Sequence, residues 1–542
     1  MKRVLRNFLV VGVLLFGLTL FGQDNDFFFG KLIDANTGEP VVFATIRLKD
    51  KALGVISNND GGFKIPLDFQ YKADTLLISS MGYETKQLDF GVLRKSAINK
   101  IFMKPSVFEL TETVVTAKKR KTLAGVKGSL TAEQIIKYAI ERIPDNYDND
   151  PFELVGYYRD YQSKDKEYTN LNEGLIKVID KGFNVKDHTS LQFGLYGYEA
   201  NLDFEVDSFA AKPYDYQSND KYIPDAVFRQ RKIPNELTLL FNHDAIRNNN
   251  ERTYSYINTF VKDFINEHDF VTYFLTNYGD QKVYKIKFKK NHTPFQVRGD
   301  IYIDTDTYAI RKLEYAVYRQ VLEEASSTNY SESDMDLLYE ILVEYQDYED
   351  HMYLNYISFH NQFKLVRPPK FFIEDVIIDK DSRNMILTLN RPSVNWLKLK
   401  TRDFRVYYQG SRLKVKKVVR VGDLGDTYEI SFLKKSKPQR KRLRLLISEE
   451  KDRQKTTLAI AVKKMMDADG NLLAERKSEL LDQFREFFTQ KIISGRNKEV
   501  ANTSYVDKTV SLGQQEQSNI KVEMDEGFWM NTPLKDMTKE NQ

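Results

Sequence analysis

Six histidines, His188, His243, His268, His292, His351 and His360, are the side chains most suited to acid–base or metal chemistry in this sequence. A zinc peptidase needs two or three His or Glu ligands that converge, the first pair at short spacing on one element. None of the six has a Glu three positions later, and no His-Glu-x-x-His occurs. They read as surface or packing histidines. With no cysteine in the chain, thiolate sites and disulfides are excluded. Ser-x-x-Lys appears at Ser163–Lys166 and Ser411–Lys414 without partner motifs, and no Gly-x-Ser-x-Gly elbow is present. Neither a Gly-x-x-x-x-Gly-Lys loop nor a Gly-x-Gly-x-x-Gly fingerprint supports nucleotide binding.

Acidic pairs are the next candidates, because a glycosidase requires only two carboxylates. Asp304 and Asp306 flank a predicted turn, and Glu323-Glu324 and Glu449-Glu450 fall in predicted loops. Acids at turns usually bond local backbone N–H groups. Asp467-Ala-Asp469-Gly470-Asn471 has the acids of a calcium loop but lacks the downstream bidentate Glu. The densest basic run, Lys434, Lys435, Lys437, Arg440, Lys441, Arg442 and Arg444, reads as a solvated loop, with anionic headgroups or acidic glycans as the functional alternative. Tyr157, Tyr158, Tyr302 and Tyr308 could line a cavity for lipid or sugar, or simply make core. The sequence thus names no catalytic residue, no cofactor-binding residue and no metal ligand, and the expectation is a non-enzyme without cofactors.

The elements that carry these residues follow an export signal. Lys2, Arg3 and Arg6 form a positive n-region, Phe8 to Leu20 is an uncharged apolar run, and Phe21-Gly22-Gln23 offers a cleavage point. This layout predicts a signal peptide over 1–22; an uncleaved anchor is the competing reading. Without cysteine, no N-terminal lipid can be attached through a Cys. Removing 22 of 542 residues leaves 520, which suggests roughly three to four domains. The balance of 81 basic against 77 acidic residues argues against a nucleic-acid partner. No transmembrane segment is expected after cleavage, and the sequence leaves the oligomeric state open.

Residues 26–104 read as seven short strands broken by turns such as Asn36-Thr37-Gly38-Glu39-Pro40 and Asn58-Asn59-Asp60-Gly61-Gly62. Gly30-x-Leu-x-Asp34, Thr37-Gly38-Glu39-Pro40-Val41, Asp60-Gly61-Gly62-Phe63 and Asp74-x-Leu-x-Ile-Ser79-x-Met-Gly82-Tyr83 together resemble the carboxypeptidase-regulatory-like domain of Bacteroidetes-type envelope proteins. That resemblance implies a transthyretin-like β-sandwich. Leu110–Ala117 resembles the segment that often trails this domain, and 105–128 reads as a linker containing the basic stretch Lys118–Lys121.

A second module, 129–368, opens with a helix capped by Thr131 and Gln134, its apolar face Ile135, Ile136, Ala139, Ile140 and Ile143, ending at Pro144. Alternating, aromatic-rich strands follow, from Phe152–Tyr161 to Tyr353–Phe363, and predict an antiparallel half-barrel around this single helix. Gly156-Tyr157-Tyr158-Arg159, Glu173-Gly174 and Gly299-x-Ile-Tyr302-Ile-Asp304 resemble an envelope family similar in fold to the periplasmic lipoprotein-carrier half-barrel. A third module, 372–474, reads as a sandwich whose strands include Leu443–Ile447. Its closing Asp467-x-x-Gly470-Asn471-x-Leu473 resembles the last turn of bacterial Ig-like domains. In the C-terminal segment 478–542, Ser478–Ile492 fits either an amphipathic helix or a strand, and 494–519 reads as a polar mobile loop. If the Ig-like module is an insertion, residues on both sides of it build the half-barrel.

The expectation from all this is a mainly β, multidomain, exported protein of the periplasm or outer-membrane surface. It would act as a binding or assembly module for an envelope protein, glycan or lipid. A half-barrel lipid or lipoprotein carrier and a hydrolase with an unrecognised carboxylate dyad are the alternatives.

Overall fold

The structure, a computed structural model, describes residues 27–106, 130–185, 190–224, 235–250, 260–320, 335–449, 457–494, 505–515 and 529–534, apart from positions 50, 52, 96, 166, 280, 423 and 435. Residues 1–22, the expected signal peptide, and most of the expected linker lie outside the described residues. Among the described residues the chain is mainly β and forms several sheets, none closed into a barrel. It divides into two compact units, one of them spanning 212–222 and 363–480.

The other unit begins with a sandwich. One sheet joins β1 (Phe27–Asp34), β4 (Gly62–Pro66) and β7 (Ile98–Met103); the second joins β2 (Thr45–Leu48), β3 (Gly54–Ile56), β5 (Thr75–Ser79) and β6 (Lys86–Asp89). Burial in β1 alternates strictly, sending Phe28 and Leu32 inward onto Ile46, Phe63 and Ile78. Gly30 has a definite reason to be glycine: a Cβ there would lie 2.2 Å from the Phe63 ring.

Next come α1 (Ala132–Glu141), α2 (Ile143–Asn146), β8 (Phe152–Lys164), β9 (Glu167–Asp180) and β10 (Gln192–Ala200). The predicted capping box exists: Thr131 Oγ1 accepts from Gln134 N at 3.2 Å, and Gln134 Oε1 accepts from Thr131 N at 2.8 Å. Pro144 sits in the first turn of α2, where its missing N–H is harmless. After β11 (Lys221–Tyr222) follow α3 (Glu236–Asn242), α4 (Phe260–Glu267), β12 (Asp269–Tyr278), β13 (Gln281–His292), β14 (Phe295–Asp304), β15 (Ile310–Gln320), β16 (Met335–Tyr348) and β17 (His351–Val366). These strands and β25 (Ser478–Ser494) form one large sheet in the order β10-β9-β8-β25-β17-β16-β15-β14-β13-β12.

The expectation of a single helix is corrected: α1, α3 and α4 all contribute to one core with the sheet, through Ile136, Leu237, Leu240, Phe241, Phe260 and Phe264. α3 and α4 are short, seven and eight residues, and their periodicity is hard to see against aromatic strands. The mobile loop is also corrected in part. Residues 505–515 are seated on the sheet, with Val506 N donating to Phe193 O at 2.9 Å and Val506 and Leu512 buried. Two apolar anchors suffice there, which polar composition conceals. The rest of that predicted loop, beyond Ser494, lies outside the described residues.

The second unit has its own core around Phe371, Leu387, Val406 and Ile430. Its sheets are β18 (Ile373–Ile378), β19 (Met385–Leu389), β23 (Thr427–Phe432) and β22 (Val415–Val421), and β21 (Ser411–Leu413), β20 (Phe404–Tyr408) and β24 (Leu458–Val462). Here the part of the basic run from Lys437 to Arg444 is neither loop nor strand. It forms α5 (Lys437–Ser448), started by Ser436 Oγ accepting from Gln439 N and by Pro438 in the first turn, and held by buried Leu443 and Leu446 three positions apart.

Candidate functional site

Strand alternation sorts the large sheet into two faces. Ile286, Ile301, Leu313, Ile341 and Ile357 point to the helices and are buried there. Their neighbours point to the other face, where adjacent strands align them in register. One row runs Lys289, Arg298, Ala316, Glu340, His360, and the next Lys287, Asp300, Glu314, Leu342, Ser358. These two rows floor a groove of about 510 Å³, bordered by Phe43 and Phe484.

The groove is polarised. At its β13–β14 end lie Lys285, Lys287, Lys289 and Arg298, with Asp300 approached by Lys285 at 2.8 Å and by Lys287 at 3.6 Å, and with Glu314 opposite Asp300 on β15. Lys289 and Arg298 are directly opposed across strands, a like-charge pairing that costs stability unless something offsets it. At the other end His360 lies between two carboxylates, Nδ1 at 2.9 Å from Glu340 and Nε2 at 2.9 Å from Asp482. Its ring stacks on Phe484 at 4.2 Å and 4°, and Phe484 stacks on Tyr161 at 4.9 Å. Burial opposes the charge on His360, but the bonds to Asp482 and Glu340 outweigh it and raise its pKa to about 9. Likewise burial would raise Glu314, yet Lys312 at 2.6 Å holds it below the ordinary carboxylate range. A glycosidase needs one carboxyl kept protonated; Glu314 is tuned in the opposite sense.

The remaining histidines are scattered. His243 packs on Phe359 at 4.6 Å with Nδ1 2.7 Å from Leu239 O, and His268 on Phe264 at 4.8 Å. Burial pushes each down to about 4, leaving neutral core imidazoles. His351 starts β17, His188 lies outside the described residues, and the His292 side chain is likewise not described. Asp304 is spent on its own turn, accepting from Asp306 N and Thr307 N at 3.0 Å, and on Arg311 at 3.0 Å. Asp467 does the same for Asp469 N and Asn471 N, with Arg391 3.4 Å away. Glu323, Glu324, Glu450 and Lys166 lie outside the described residues. Among the described residues no three His, Asp or Glu side chains are gathered as metal ligands.

The four tyrosines do not share a cavity. Tyr157 and Tyr158 are consecutive on a strand and so face opposite ways: Tyr157 donates to Glu173, while Tyr158 joins the helix-side core. Tyr302 takes cation–π contacts from Lys285 and Lys312, and Tyr308 packs edge-on against Tyr138.

Residues 28–115 match the family model of the CarboxypepD_reg-like domain. The chain therefore contains a carboxypeptidase-regulatory-like domain. Searches of curated proteins and of solved structures gave no significant match. In this domain two of the residues read as motif are bonded to each other: Asp34 Oδ2 accepts from Tyr83 OH at 2.8 Å, and Oδ1 holds the turn through Asn36 N and Thr37 N.

The carboxypeptidase-regulatory-like domain sits on the same face of the large sheet as the groove. Arg159 and Glu486, both almost fully buried, pair at 2.6 Å, and Arg159 also donates to Asn58 of the β3–β4 turn. Tyr161 OH donates to Glu486 at 2.8 Å, and Asn59 to Tyr161. Further along, Arg47 bonds Asn355, whose Nδ2 donates to Thr45 and Glu344. Ile56, Tyr356 and Phe488 with Phe43 form an apolar patch between these polar clusters. Apart from the stretch around Arg159 and the turn at Asn58-Asn59, these residues carry no motif in the sequence. The usable signal was the wet side of the strands, as in Lys285-x-Lys287-x-Lys289.

Proposed function

We propose that this chain is a non-enzymatic, exported envelope protein that works as a binding or assembly module, with the polarised groove beside Phe43 as its contact site. The observation that carries the proposal is the polarity of the groove, with Lys287, Lys289 and Arg298 lining one end and Phe484, His360 and Glu340 the other. Such a surface suits a polar partner that offers an anionic group at one end and hydrogen-bond donors at the other. The helix-side face of the sheet is filled by Phe241, Phe264, Phe288 and their neighbours, which favours this reading over acyl-chain carriage.

The test is pull-down and calorimetry of the full chain against envelope glycans, envelope proteins and lipid vesicles, beside the Lys289→Glu/Arg298→Glu variant. Binding to one class should weaken with salt and fall at least tenfold in the variant. Equal binding by variant and parent would reject the groove. N-terminal sequencing of the envelope-fraction protein should begin at Gln23; a retained Met1 would count against cleavage.

A further inference from the structure

A short segment near the C-terminus, 529–534, lies between the carboxypeptidase-regulatory-like sandwich and the large sheet without joining a strand or helix of either. Its burial alternates residue by residue: Trp529, Asn531 and Pro533 are buried, while Met530, Thr532 and Leu534 are half-buried. An extended chain presents alternate side chains to opposite sides, and from Trp529 to Thr532 the two sides meet different surfaces, while Leu534 lies near Gly62 of the sandwich. Toward the sandwich, Trp529 packs edge-on to Phe69 at 4.9 Å and donates from Nε1 to Lys64 O at 2.9 Å. Asn531, with no exposed surface, accepts from Lys64 N at 3.1 Å and donates to Ile56 O at 2.8 Å. Toward the sheet, Met530 joins Val155 and Leu175, and Thr532 donates to Glu173 at 3.1 Å. Gln490 adds a donor to Trp529 O at 2.8 Å.

These contacts belong to particular side chains and do not form a β-ladder, so the cleft reads sequence. We propose that it is a peptide-recognition site for an extended Trp-x-Asn-Thr segment, filled here by the chain's own residues and able to accept the same segment from a second copy. The length of chain allows this. From Gln515 to Trp529 are 14 residue steps, a reach of up to roughly 50 Å when extended. This site is separate from the groove and does not depend on its ligand.

The experiment uses full-length protein and a fluorescently labelled peptide, Phe-Trp-Met-Asn-Thr-Pro-Leu, copied from residues 528–534. A Trp529→Ala/Asn531→Ala chain, with its own segment unseated, should bind the peptide at one site. It should bind at least tenfold more tightly than the parent chain, whose cleft is filled. A peptide with Ala at the Asn531 position should bind at least tenfold more weakly. If the double variant does not fold, the milder Thr532→Ala chain replaces it, with binding expected between the two. A folded variant that takes up no peptide, or peptide binding indifferent to the Asn531 position, would overturn the proposal.

Discussion

His360 concentrates the electrostatics of the groove in one ring. With its pKa raised to about 9, it is charged at neutral pH and neutralises part of the charge on Glu340 and Asp482. The unfolded chain would titrate this imidazole near 6.5. A group whose folded pKa is raised contributes its full stability below the unfolded value and loses it as pH climbs through the folded one. Unfolding free energy should therefore fall between about pH 6.5 and 9, by about 3 kcal/mol for a shift of this size. Urea melts at pH 6 and pH 9.5 measure this, and the His360→Gln chain should lose most of the difference. An undiminished difference in that variant would assign the dependence to another group.

At the scale of elements, β25 ties the sheet together by pairing along β8 from Asp482 to Ser494 and lying next to β17. Its Glu486 is the buried partner of Arg159. Replacing Glu486 by Ala strands a guanidinium in the junction, and the loss should be about 3–5 kcal/mol; replacing both, as Arg159→Met/Glu486→Leu, should recover much of it. Chemical denaturation of the three chains decides: a double variant as unstable as the single would mean that the pair itself stabilises. In sequence, β25 was ambiguous because Leu481, Phe484, Phe487 and Phe488 satisfy helical spacing while both faces of a central strand are buried, which erases alternation. The N-terminal sandwich was far more legible, since its glycines and Asp34 sit at turns and close approaches whose chemistry is local. α5 was misread for the opposite reason, because its charges hide the buried Leu443 and Leu446. The groove escaped notice because it depends on register between strands that lie far apart in sequence.

On the scale of the whole molecule, the chain leaves the large sheet after β17 and re-enters it at β25, with the second unit in between. The two crossings are close: Arg367 N donates to Lys477 O at 3.0 Å, and Arg476 reaches Val366 O at 2.8 Å. A long excursion between adjacent ends costs little, because loop-closure entropy grows only with the logarithm of length. Replacing residues 368–476 by a two-residue Asn-Gly turn should then join β17 and β25 as an ordinary hairpin. The shortened chain should melt cooperatively. The excised unit, with its own core around Leu387 and Val406, should also fold alone. A piece ending at residue 365 should fail, because without β25 nothing fills the position between β8 and β17, and the core they share loses Phe487 and Ile492. Calorimetry and limited proteolysis of the three constructions distinguish these outcomes. A protease-resistant, cooperatively melting 128–365 fragment would show that the sheet is complete without its last strand, and that β25 is an accessory to it.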